Sequence, residues 1–155
     1  MGRRLIEILA GFALVALICA GLFFLFTAIF NDPEPEVGTA VISTNDASIT
    51  PVQNVIYRTA DKQRTDEEPL VLSEVADSLP EIGYDQSLTG LFKDGSKNGS
   101  FYFTVYDEAF KVYEDKKAFF PELTEPGTYI VHTETFWGTE DNNIGMEYLY
   151  KVAVK

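Results

Sequence analysis

One histidine, His132, and one cysteine, Cys19, bound the chemistry this chain can do. Serine nucleophiles usually depend on a histidine base, and His132 lies mid-way along an alternating run that reads as a strand. A zinc centre needs three or four nitrogen or sulfur ligands, more than these two residues supply. No glycine-rich loop able to cradle phosphate is present, so no cofactor is expected. With 24 acidic residues, paired carboxylates arise without design and say nothing about glycoside chemistry. The residues argue against an enzyme. Two loops cluster oxygen ligands of the kind a hard cation prefers. One holds Glu140, Asp141, Asn142 and Asn143; the other holds Asp94, Ser96 and Asn98. Neither follows EF-hand spacing, and Asp/Asn/Gly clusters are the ordinary chemistry of solvated turns. The turn reading is preferred, and no metal is expected. Asn98-Gly99-Ser100 matches a glycosylation sequon, and equally an Asn-Gly turn.

Whatever these residues do is set by where the chain carries them. Residues 8–30 are an unbroken apolar run of 23 residues. A helix of that length reaches roughly 34 Å, enough to cross a hydrocarbon core of about 30 Å. Arg3 and Arg4 precede the run; Asp32, Glu34 and Glu36 follow it. The basic flank stays in the cytoplasm, so the reading is an uncleaved, single-pass signal-anchor with the remaining chain outside the cell membrane. A cleavable signal has a shorter apolar core and small residues before the cut, whereas this run ends Thr27-Ala28-Ile29-Phe30. Myristoylation needs Ser or Thr where Ile6 stands. The expected organisation is a cytoplasmic stub (1–7), the anchor (8–30), an acidic Pro-spaced linker (31–36) and an extracytoplasmic domain (37–155). Taking Arg3, Arg4 and Glu7 from 12 basic and 24 acidic residues leaves 10 and 23, a net charge of −13 beyond the anchor. Such a surface repels nucleic acid. The single cysteine lies in the apolar run, so the outer domain has no disulfide and is held by packing alone.

Beyond the linker, β signals dominate. Residues 39–43 and 52–58 are β-branched runs, and 61–68 is a charged loop. Leu72, Val75, Ala76 and Leu79 follow helical spacing and stop at Pro80, predicting a short helix. Residues 87–93 and 101–107 read as the two strands of a hairpin, about a loop with Asp-Gly and Asn-Gly turn signals. A short strand at 111–114 and two long ones, 128–137 and 146–154, complete the pattern. Many short strands with regular turns predict an all-β antiparallel sandwich.

Pro126-Gly127-Thr128-Tyr129-Ile130-Val131 is similar to the turn entering the penultimate strand of immunoglobulin-like and PKD-type modules. There a glycine precedes a tyrosine whose hydroxyl caps the upstream backbone. The resemblance covers about residues 85–155. Val131 stands where antibody-type domains have a cysteine, and the single tryptophan, Trp137, ends the strand after the tyrosine turn. What the resemblance implies is an immunoglobulin-like sandwich, with Gly127 and Tyr129 structural. It also sets the strand at 128–137 between the last strand and that at 101–107. Tyr129 and Val131 then face the core, and Tyr102, Tyr106, Ile130, His132, Phe136 and Leu149 form one outer face. An exposed aromatic patch of that kind marks a partner surface, for a protein or a carbohydrate. The alternative is that residues 37–84 fold across it. The expected function is a membrane-anchored, non-catalytic binding or sensing module, with an accessory subunit of a membrane complex as the second reading.

Overall fold

The computed structural model describes residues 14–25, 35–92 and 101–155, with backbone only for 89–92. The chain divides into two compact units, Met1–Pro33 and Glu34–Lys155. In the first, residues 14–25 are helical (α1), and their large apolar side chains are exposed. The expected span over 8–30 lies partly outside the described residues, and among those described no helix is long and apolar enough to cross a membrane.

Among the described residues, the second unit is all-β apart from one short helical segment. Its strands are β1 (Ala40–Ser43), β2 (Ser48–Ile49), β3 (Val52–Ala60), β4 (Gln63–Asp66), β5 (Glu81–Gly83), β6 (Thr89–Phe92), β7 (Tyr102–Tyr106), β8 (Val112–Lys117), β9 (Gly127–Gly138) and β10 (Asn143–Val154). Between β4 and β5 lie helix α2 (Leu72–Val75) and a 3-10 turn, Ala76–Ser78. The large sheet runs β4-β3-β10-β9-β7-β8, and β5 adds in parallel to β10. A small antiparallel sheet runs β2-β1-β6.

β9 and β10 form the spine, paired in register from Asn143↔Gly138 to Val154↔Gly127. Both are rich in β-branched and aromatic residues, which suit a pleated surface. Their inner faces build the core. Val105, Tyr129, Val131, Tyr150 and Val152 of the large sheet pack with Ile42 of the small one. Trp137, Met146 and Tyr148 pack with Ala40, and the Trp137 indole N–H donates to the Tyr148 hydroxyl at 3.1 Å. Gly138 turns the chain between the two strands at φ +110°. A side chain there would meet the Asn142 carbonyl and the Pro35 ring, so glycine is required.

Two sequence expectations are corrected here. The segment at 87–93 does not form a hairpin with that at 101–107: β6 pairs with β1 in the small sheet, while β7 pairs with β8 and β9. Turn dipeptides between two strands license a reversal, not a pairing, and the packing of the two sheets decided the partner. The residues of that loop, 93–100, lie outside those described, and with them the Asp94, Ser96 and Asn98 candidates and the sequon. The charged stretch 61–68 also contains strand β4, joined to β3 by the two-residue turn Asp61-Lys62. Both turn residues have positive φ, 49° and 66°. This is the geometry of tight hairpins, reached here without glycine.

Candidate functional site

Strand parity fixes two faces of β9, β10 and β7. The register pairs Tyr102 with Glu134, Thr104 with His132 and Tyr106 with Ile130. On the other side of β9, Glu147 lies opposite Glu134, Leu149 opposite His132 and Lys151 opposite Ile130. All of these lie on the face away from the core, as their alternation requires.

That face is not open. Ile130 is 4% exposed and Leu149 is 0% exposed, packed with Ala76 and Leu79. Val52, Leu70, Leu72, Val75 and Tyr106 close round the same cluster. The cover is the segment 67–79, and the side chains that bury the face are those whose helical spacing marks them in the sequence. Of the two readings of that face, the covered one holds, and the six residues do not form one contiguous exposed patch. Ile130 and Leu149 are core, Tyr106 is half-buried, His132 and Phe136 are largely covered, and Tyr102 alone of the six is exposed, at 47%. A strap carrying its own apolar stripe gains more by covering Ile130 and Leu149 than by leaving both surfaces in water.

At the centre of the covered face sits Glu147, 2% exposed. Its Oε2 accepts from His132 Nε2 at 2.9 Å. Its Oε1 accepts from Asn54 Nδ2 at 2.9 Å and from the Leu70 backbone N–H at 2.7 Å. Asn54 Nδ2 also donates to the Glu68 carbonyl at 2.9 Å. Strands β3, β9 and β10 thus converge on one carboxylate, which in turn holds the strap. Burial pushes this carboxyl's pKa up, but the hydrogen bonds from His132, Asn54 and Leu70 N–H outweigh it, so the net shift is downward. The Tyr106 phenol nearby is raised, chiefly by burial and then by the charges of Asp115, Glu134 and Glu147.

The remaining polar groups of this face are directed to neighbours of their own. With Nε2 donating to Glu147, the other ring nitrogen of His132 lies 3.9 Å from Glu134 Oε1, outside hydrogen-bond range. The hydroxyl across the ladder, Thr104 Oγ1, is directed to β8, facing Asp115 Oδ1 and the Lys116 N–H. The loop proposed for a cation closes on itself. Asn143 Nδ2 donates to the carbonyls of Thr139 and Glu140 at 2.8 and 3.1 Å. Thr139 N–H donates to Asn142 O at 2.8 Å, and Asp141 faces Lys62 at 3.5 Å. Among the described residues no three His, Cys, Asp or Glu side chains converge as a metal set.

Tyr129 lies in the core with its hydroxyl donating to the Glu125 carbonyl at 3.0 Å, and its ring meets Tyr113 edge-on at 5.1 Å. The residues that sequence reasoning missed are Glu147, Asn54 and Leu70. A lone outward glutamate reads as a solvated charge; only the register that sets it diagonal to His132 gives it a partner. No family model matches the chain, and no curated protein or solved structure matches it either.

Proposed function

We propose that this chain is a membrane-anchored, extracytoplasmic module that binds a partner and performs no catalysis, with a domain of immunoglobulin-like sandwich type. The observation that carries the reading is the 23-residue apolar run with arginines before it and acidic residues after it, leading through a proline-spaced linker into a β unit. Support for the sandwich type comes from the order β10-β9-β7, the hydroxyl bond of Tyr129 to the preceding turn, and a core shared between two sheets. The partner is a protein or a carbohydrate. The side chains it would meet are Tyr102 and Val112 on the face away from the core and the 85% exposed Phe119 in the loop after β8. Protease added to intact cells should release the domain by cutting in 31–36. Complete protection until the cells are lysed would reverse the orientation.

A second reading has its own support. Leu17, Phe23 and Phe24 of α1 are at least two-thirds exposed, and such side chains need lipid or a neighbouring helix. An accessory subunit of a membrane complex would use α1 as its main contact. Co-purification in mild detergent separates the two: a partner retained by a chain lacking residues 37–155 favours the accessory subunit.

A further inference from the structure

We propose that residues 67–79 are an acid-released cover over an apolar sheet face, and that Glu147 is its latch. The strap is tied at both ends by backbone: Glu67 N–H donates to Ile56 O at 2.8 Å, and Lys151 N–H donates to Pro80 O at 2.8 Å. Between those ends the sheet holds it through Glu147 on Leu70 N–H and through Asn54, which bridges Glu147 and the Glu68 carbonyl. The helical part is one four-residue turn and one three-residue 3-10 turn, too short to persist unaided in water. Its order therefore depends on those polar ties and on Leu72, Val75, Ala76 and Leu79 seated over Ile130 and Leu149.

Three donors converge on the Glu147 carboxylate, and as an anion it accepts all of them. Protonation turns one oxygen into a donor and sets it against a converging N–H, leaving a buried polar group unpaired. His132 contributes to the latch through Nε2–H, which the anionic carboxylate accepts. Besides His132, the titratable groups on this face of the sheet are Glu134 on β9, Lys151 on β10, Tyr106 on β7 and Asp115 on β8. The strap adds Glu68, the exposed Glu74 and Asp77, and Glu67, which is paired with Arg58 at 2.9 Å. The sign follows from the geometry and agrees with the lowered pKa of Glu147. The closed strap prefers the ionised form, so the latch is fully engaged above the ordinary carboxyl value of 4.5 and fails as pH falls through the lower value of the closed state. Opening uncovers Ile130, Leu149, Val52 and Tyr106, an apolar surface hidden at neutral pH.

The test is amide hydrogen exchange on the full chain in detergent, followed from pH 7 downward and corrected for the intrinsic pH dependence. Protection of the 68–79 amides, Leu70 above all, should fall by about tenfold or more while Val131 and Leu149 in the spine stay protected. Glu147→Ala, which removes every acceptor, should open the strap at neutral pH, and Asn54→Ala should do so in part. Loss of strap and spine protection together would mean global unfolding and overturn the proposal. So would strap protection unchanged by acid. If Glu147→Ala does not fold, the acid series on the unmodified chain decides alone.

Discussion

At the scale of single residues, Tyr129 and Tyr102 make the sharpest contrast. Both are tyrosines on strands of one sheet, yet one is 5% exposed and the other 47%. The Tyr129 hydroxyl bonds the Glu125 carbonyl, and its pKa is raised, first by burial and then by Tyr113, Glu125 and Asp107. Tyr129→Phe removes that bond. Because Glu125 is exposed and its carbonyl can take up water, the cost in a urea titration should be about 1 kcal/mol. Tyr102→Phe should stay within about 0.5 kcal/mol. Equal losses at the two sites would contradict the assignment of faces. The proline, glycine and tyrosine of that turn are legible in the sequence because each has a local mechanism. Glu147 is not legible in the same way, since nothing within several residues of it distinguishes a buried carboxylate from a solvated one.

Among elements, the strap shows where sequence reading succeeds and where it stops. The spacing of Leu72, Val75, Ala76 and Leu79 predicts a short apolar face ending at Pro80, and α2 with its 3-10 turn delivers those side chains to one cluster. What the spacing cannot give is the destination. The partner surface is made by Ile130 and Leu149, which lie on two other strands and become neighbours only through the β9–β10 register. The long strands β9 and β10 were legible from alternation, whereas β4 was hidden by its charge and by a turn with no glycine. Leu79→Ala should cost about 2–3 kcal/mol, by loss of burial plus the cavity left over Leu149. Asp77→Ala, on the exposed side of the same segment, should change the urea midpoint little. A Leu79→Ala chain as stable as its parent would mean that the strap adds nothing to the fold.

At the scale of the molecule, packing without covalent ties is the governing condition. Cys19 is the single cysteine and lies outside the β unit. Thermal unfolding of the β unit, followed by the near-ultraviolet signal of Trp137, should be the same with and without reductant. A shift of several degrees on adding reductant would point to a cross-link between chains. The exposed flanks of the large sheet also need managing, because unpaired strand edges recruit other chains. β4 is exposed throughout and carries Arg64 paired with Asp66 at 2.6 Å. β8 is irregularly paired with β7 and turns at Lys116, where φ is +43°. The interior of that sheet has a different consequence, one of time. β10 holds β9 along one side and both β3 and β5 along the other. Its tie to β3 joins residues 93 apart, as in Asn54 and Glu147. As the chain is synthesised, β3 and β5 emerge long before the strand that unites them, and each waits with its pairing edge bare. Loop closure must be completed before those distant contacts repay it, so the sheet assembles late, on the millisecond-to-second scale of non-local β folds. In that interval the nascent chain depends on keeping neighbouring copies apart, a task to which its surplus of negative charge is suited.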